Sequence, residues 1–174
     1  PIGNQTHFIA GDKDGNVFFD SDQSLIRYDI QTQKFSCLRK SNVYTVASIK
    51  GTIWVGIADS ILTWNPDKND FDFVTRLENR NQRATCLLED SGGRYWIGTT
   101  DGLFRMNDDK SLTCMIMGED IYDLYEDSKY NLWISIRMNG MYKRDVHGNF
   151  TRYRYDPSNP NNISSNQVRD FVED

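Results

Sequence analysis

Hydrophobic positions along this chain fall into short runs separated by clusters of Asp, Ser, Gly and Asn. Runs such as Ile121 to Tyr125 and Leu132 to Ile136 are short and rich in β-branched and aromatic residues, so each predicts a strand. The clusters between them hold residues that tolerate positive φ or bond their own backbone, which predicts turns. Asp101-Gly102 and Asn139-Gly140, each flanked by such runs, predict tight hairpins. No stretch shows the apolar period of an amphipathic helix. No apolar run approaches the ~20 residues that a membrane helix needs.

The runs recur. An aromatic residue stands at Phe18, Trp54, Trp96 and Trp133, at spacings of 36, 42 and 37 residues. DSGGRYW (90–96) and DSKYNLW (127–133) agree in length, in the opening Asp-Ser and in the closing Trp. After each aromatic come an apolar pair and then an Asp or Asn: Leu25-Ile26 to Asp29, Ile61-Leu62 to Asn65, Leu103-Phe104 to Asn107, Met141-Tyr142 to Asp145. The interval from aromatic to Asx is 11 residues in three copies and 12 in the fourth, where IRMNG carries one extra residue. A third column precedes the turn. It reads ATCLLED (84–90), IYDLYED (121–127) and VRDFVED (168–174), with VYTVASI (43–49) a looser match.

Each copy reads as four strands, the last being Phe35 to Leu38, Phe71 to Val74, Leu112 to Ile116 and Phe150 to Tyr155. Four antiparallel strands every ~40 residues is the signature of a β-propeller blade. A lone blade cannot bury its two apolar faces, but stacked blades shelter one another. The prediction is an all-β chain, a β-propeller fragment of about four four-stranded antiparallel blades plus the first strand of a fifth. The blades fall near residues 6–41, 42–82, 83–119 and 120–160 of a single domain, and the fifth begins at 168–174. The in-register aromatics then act as core wedges, each stabilising by about 2–3 kcal/mol. Trp64 shares a column with Tyr28, Met106 and Arg144. A column that admits Arg predicts a half-exposed site, either a filler at a blade edge or a surface contact. The chain opens on Pro1 and stops as a fifth copy begins, so it reads as a piece of something longer. Uncovered blade faces predict self-association, as a dimer or a compact four-blade closure.

The 9 Phe, 9 Tyr and 4 Trp supply such a core. A net charge of -5 argues against nucleic acid as a partner. The densest basic cluster, Arg152 and Arg154 interleaved with Tyr153 and Tyr155, places charges and rings on opposite faces of a half-solvated outer strand. Cys37, Cys86 and Cys114 lack CxxC spacing and read as small buried hydrophobes. His7 and His147 are too few to complete a metal site, and no cofactor is expected. The pairs Glu89-Asp90, Glu126-Asp127 and Glu173-Asp174 invite a glycosidase reading, because that chemistry uses two carboxylates. A catalytic pair is needed once, however, and a turn-capping Asp in every blade, so the recurrence assigns them to structure. GDKDGN (11–16) resembles a calcium loop, but its Gly comes too early and it sits at a hairpin turn of the repeat.

LEDSGGRYWIGTTDGLFRMN (88–107) resembles the two-component regulator propeller repeat, and YDPSNPNNISSNQVRDFVED (155–174) is similar to that family's crossing between blades. The resemblance spans nearly the whole chain. It is closer in the third and fourth copies, since the second lacks the acidic pair and the first has Phe18 in place of Trp. It implies a non-catalytic sensor segment of a bacterial hybrid two-component system. That segment is the periplasmic part of an inner-membrane-anchored histidine kinase/response regulator. Such sensors detect oligosaccharides from polysaccharide breakdown and control transcription of the genes that use them. The implied partners are an oligosaccharide and the remaining blades and domains of the full sensor, with no nucleic acid and no membrane contact by this segment. A propeller enzyme acting on polysaccharide, lyase-like or sialidase-like, stays open as an alternative, as does a protein-interaction scaffold.

In a propeller the turns between second and third strands share one rim with the connections between blades. Here that rim would carry Asp22, Arg80, Asp101, Arg137 and Asn139 as ligand-binding candidates, with no catalytic or metal-binding residue expected. Arg137 stands out because it lies in the copy with the inserted residue, and loop insertions commonly serve binding.

Overall fold

The computed structural model describes residues 6–79 and 81–173, and among these there are sixteen strands and no helix. No helix of the described residues is therefore long and apolar enough to cross a membrane. The first sheet comprises β1 (Ile9–Gly11), β2 (Val17–Asp20), β3 (Ser24–Asp29) and β4 (Lys34–Lys40). The second comprises β5 (Val43–Ile49), β6 (Thr52–Ile57), β7 (Ser60–Asn65) and β8 (Asp70–Arg76). The third comprises β9 (Ala84–Glu89), β10 (Tyr95–Thr99), β11 (Gly102–Met106) and β12 (Leu112–Met117). The fourth comprises β13 (Ile121–Glu126), β14 (Leu132–Ile136), β15 (Gly140–Arg144) and β16 (Phe150–Tyr153). In every sheet the strands are hydrogen-bonded in chain order, an antiparallel meander. These are four blades of a β-propeller fragment. The chain divides into two compact units, residues 1–87 and 88–174, and β9 carries it from one to the other.

Of the aromatic column, Phe18, Trp54 and Trp96 are buried and Trp133 is half-buried. In the first unit Phe18 is fully buried and clusters with Leu25, Val46, Ile53, Val55, Trp64 and Phe71. Trp64 is only 7% exposed, so its half-exposed expectation is corrected. It meets Phe18 edge-on at 5.2 Å and Phe71 at 5.1 Å, and the Arg27 guanidinium lies 5.4 Å from its ring. The column admits Arg144 for a packing reason. In the second unit the Arg144 guanidinium lies over the ring of buried Trp96, 5.3 Å from its centre, as a cation–π contact. Burial, reinforced by the Arg94 charge, draws the Arg144 pKa below its ordinary value.

The apolar pair of the repeat marks a β-bulge. Register shifts occur between Leu25 and Ile26, Ile61 and Leu62, and Leu103 and Phe104, each against the fourth strand of its sheet. The β15–β16 ladder runs without a shift, and this same sheet carries the inserted turn residue. Outer-strand residues opposite the second member of the apolar pair face outward whether or not the ladder is bulged, as Arg152 opposite Tyr142 shows. Cys37 and Cys114 sit opposite Ile26 and Phe104 and are exposed, which corrects their reading as buried hydrophobes, while Cys86 is half-buried.

Four of the recurrent carboxylates, Asp90, Glu126, Asp127 and Glu173, are structural, and Asp174 lies outside the described residues. Asp90 accepts the Trp96 Nε1–H at 2.8 Å and the Arg94 backbone N–H at 2.9 Å. Asp127 accepts the Trp133 Nε1–H at 2.8 Å and the Asn131 backbone N–H at 2.8 Å. The glutamates clip one blade to the next. Glu126 accepts the backbone N–H of Ser91 at 2.7 Å and its hydroxyl at 2.9 Å. Glu173 does the same for Ser128 at 2.7 and 2.6 Å. Residues 168–173 therefore repeat the role of β13 as the opening segment of a fifth blade. They form no ladder among the described residues, but Phe171 stacks on Tyr125 at 6.2 Å. Asp12 of the GDKDGN turn caps its own loop, accepting the backbone N–H groups of Asp14 and Asn16.

These caps set a pH response. Burial pushes the Asp90 carboxyl up, but hydrogen bonds from Trp96 and Arg94 outweigh it and hold the folded value below 3.8. Asp127 behaves alike, with Trp133 and Asn131 opposing burial. A group bound more weakly to its proton when folded contributes stability above its unfolded pKa and loses it as pH falls through the folded value. Urea unfolding followed by circular dichroism should therefore show a steady midpoint from pH 7 to about 4 and a decline below that. Asp90→Asn should lower the midpoint at pH 7 and flatten the acid decline.

Candidate functional site

The second class of bulge lies in the first strands. Val43 pairs with Ile57 and Thr45 with Gly56, leaving Tyr44 as the extra residue. Ile121 pairs with Ile136 and Asp123 with Ser135, leaving Tyr122 extra. Bulges re-aim side chains at the edges of sheets and beside binding sites. Each tyrosine is covered by an arginine, Arg83 at 4.8 Å from the Tyr44 ring and Arg137 at 4.9 Å from the Tyr122 ring. Each also lines a niche between a second-to-third-strand turn and the start of the following copy.

The niche of the second unit has a volume of about 250 Å³ and is lined by Tyr122, Arg137, Met138, Gln167, Val168 and Arg169. Arg137 is fixed at both ends. Its backbone N–H donates to the Asp120 carbonyl at 2.8 Å, and its Nε donates to Asp120 Oδ2 at 2.8 Å. Asp120 Oδ1 is buried without a hydrogen-bond partner. The inserted residue makes the β14–β15 turn three residues long, with Met138 in the left-handed region at φ 58° and exposed. Gln167 Nε2 reaches Met138 Sδ at 3.1 Å, joining the turn to the segment that opens the fifth copy.

Asn139 and Asp101 meet the same connection, Gly118 to Asp120. Asn139 Nδ2 donates to Glu119 Oε2 at 2.8 Å, and Glu119 Oε1 pairs with Arg152 at 2.9 Å. The Asp101 carbonyl accepts the Gly118 N–H at 2.9 Å. Thus the structure brings Asp101, Arg137 and Asn139 to one connection, with Arg137 facing the niche and Asn139 bracing the loop. Arg80 lies outside the described residues.

Asp22 lies in the first unit. With Gln23 it occupies a left-handed turn, at φ 42° and 57°, closed by hydrogen bonds between Ser21 and Ser24 of 2.8 and 3.0 Å. It lines a niche of about 410 Å³ together with His7, Asp20, Gln23, Asn42 and Tyr44. Asp20 breaks the repeat. Its column, two residues after each aromatic, otherwise holds Gly56, Gly98 and Ser135. At Gly56 a side chain would collide with Ala84 and Thr45. Asp20 fits because its oxygens are taken up, Oδ1 by the His7 and Phe8 backbone N–H groups at 2.7 Å each and Oδ2 by His7 Nδ1 at 2.9 Å. Burial raises its pKa, but the His7 and Phe8 hydrogen bonds prevail and hold the carboxyl below 3.8.

The bulged tyrosines were missed by motif reading, although a signal exists: VYTVASI and IYDLYED both carry Tyr at their second position. Among the described residues no cluster of three or more His, Cys, Asp or Glu could hold a metal ion.

Residues 80–101 match the two component regulator propeller family. No curated protein matches the sequence. The extracellular domain assigned to one hybrid two component system of B. thetaiotaomicron is similar in structure, with a TM-score of 0.79 and 20% identity over 94% of this chain and 24% of that one. A second such domain from B. thetaiotaomicron has a TM-score of 0.78 and 20% identity, over 98% of this chain and 24% of that one. Virginiamycin B lyase from Staphylococcus aureus has a TM-score of 0.70 and 16% identity, over 90% of this chain and 58% of that one. The chain thus spans about a quarter of the length of the two extracellular domains, 24% in each case.

Proposed function

We infer that this segment belongs to the sensor region of a bacterial hybrid two-component system, placed outside the inner membrane. There it contributes to recognition of oligosaccharides released from polysaccharides. The signal would pass to a histidine kinase and response regulator that control the genes for using them. The regulator propeller repeat at 80–101 and the likeness to extracellular domains of such systems support this reading. The observation that carries it is a division of labour. Asp90, Asp127, Glu126 and Glu173 are consumed by caps and clips, whereas Arg137, the bulged Tyr122 and the inserted turn open onto a niche. A guanidinium beside an aromatic ring offers hydrogen-bond donors and a flat apolar face, which suits a sugar ring.

A glycan-binding screen followed by Arg137→Ala tests this. The variant should weaken the best oligosaccharide by about tenfold or more, which is about 1.4 kcal/mol, and lower stability by about 1 kcal/mol as Asp120 loses its Nε–H donor, so the chain stays folded. Unchanged affinity would remove Arg137 from the site. The rival reading as a propeller enzyme draws on the lyase likeness. Turnover of polysaccharide fragments in the same mixtures would establish that reading and overturn the sensor one.

A further inference from the structure

The niche of the first unit differs in chemistry from its counterpart. Where Arg137 and Arg169 line one, Asp20 and Asp22 line the other. Its volume of about 410 Å³ falls within the ~300–1,000 Å³ of small-molecule sites. Its lining combines two carboxylates, two side-chain amides (Gln23 and Asn42), the His7 imidazole and the Tyr44 ring. Because Asp20 is taken up by His7 and Phe8, the groups that can meet sugar hydroxyls are the Asp22 carboxylate and the Gln23 and Asn42 amides beside the Tyr44 ring.

Two features show that this niche is built. Asp20 stands in a column otherwise restricted to Gly and Ser, and it orients His7 through a 2.9 Å contact with Nδ1. Asp22 and Gln23 both adopt left-handed backbone, which sets the course of the turn that carries them to the rim. Arg83 approaches by lying on the Tyr44 ring at 4.8 Å and so steadies that wall. His7 Nδ1 already answers Asp20, whereas Asp22 is exposed and stands at the mouth. Asp22 thus sets a negative charge at the entrance, with the Arg83 cation set back on the Tyr44 wall, and a carboxylate-bearing ligand would meet Asp22 at close range.

The geometry points to a saccharide subsite in the first unit that favours an amine-bearing sugar residue over a neutral one and rejects uronic acids. It rests on the oligosaccharide reading above and adds the class of sugar. Calorimetric titration of the full chain with chitosan oligosaccharides, cello-oligosaccharides and oligogalacturonates tests it. Affinity should fall in that order, with the amine-bearing series ahead of the neutral one by about tenfold at low salt and by less at high salt. Asp22→Asn removes the charge and keeps a residue that tolerates left-handed backbone, so the fold is retained. This variant should bring the amine-bearing series down to the neutral one. Asn42→Ala should weaken both. Oligogalacturonates binding as tightly as chitosan oligosaccharides, or an order unchanged by Asp22→Asn, would overturn the subsite and leave the oligosaccharide reading standing. Failure of all three to bind would overturn both.

Discussion

Trp96→Ala is expected to leave the second unit at the edge of unfolding. The indole is 1% exposed, gives its N–H to Asp90 at 2.8 Å and carries the Arg144 guanidinium 5.3 Å from its ring. Truncating a buried Trp costs about 3–5 kcal/mol through lost transfer energy and the cavity left behind. The change also removes a donor from the Asp90 carboxylate and the cushion from a half-buried cation. Set against a typical domain stability of about 5–15 kcal/mol, the loss takes a large share. Trp96→Phe should fall between, keeping most of the packing but losing the hydrogen bond, at a cost of about 1–3 kcal/mol. Trp133→Ala should cost less than Trp96→Ala, because Trp133 is only half-buried. Urea unfolding with circular dichroism would rank the three. Equal midpoints for Trp96→Ala and the parent would refute the wedge.

Gly140→Ala is the second severe change. Gly140 has φ 81°, and a Cβ there would drive into the Tyr153 carbonyl oxygen and lie 3.3 Å from Arg154 Cα. Its N–H also donates to the Asn166 carbonyl at 3.0 Å, so any shift loosens the crossing that follows β16. Left-handed backbone in a residue with a Cβ costs about 1–2 kcal/mol, and displacing the β15–β16 ladder adds to that, for about 2–4 kcal/mol in all. Gly118 supplies the control. Its φ of 75° is similar, but a Cβ there meets nothing within 4 Å. Gly118→Ala should therefore cost only the backbone strain, about 1–2 kcal/mol. If both alanine variants unfold at the same urea concentration, the collision at Gly140 does not matter.

Much of the fold was legible because its determinants repeat. Trp96 and Trp133 each stand six residues after a capping Asp, and that spacing is what lets the indole N–H reach back across the turn. The apolar pair was legible as a column, although not as a bulge, because a bulge is a mismatch between two strands and only the pairing reveals it. The burial of Trp64 is hidden from the sequence for a related reason. An Arg in the column predicts solvent, yet the Arg144 guanidinium sits over an indole in the place another blade fills with a ring. Cys37 and Cys114 have apolar neighbours in sequence, but each lies on the outer strand of its sheet, where the side chain opposite Ile26 or Phe104 faces out. On the candidate site, the inserted residue led to Arg137, whose charge the fold pairs with Asp120. Asp20 and the two bulged tyrosines escaped notice because nothing local distinguishes them. Asp20 is unusual only against its column, and Tyr44 and Tyr122 only against their partners across the ladder.

The glutamate clips have an order in time. Ser91 leaves the ribosome 35 residues ahead of the Glu126 that will hold it, and Ser128 leaves 45 residues ahead of Glu173. During synthesis each turn thus waits, solvated, for a carboxylate that arrives with the next repeat. A nascent chain paused between the two would present a blade whose last contact is supplied only by its successor.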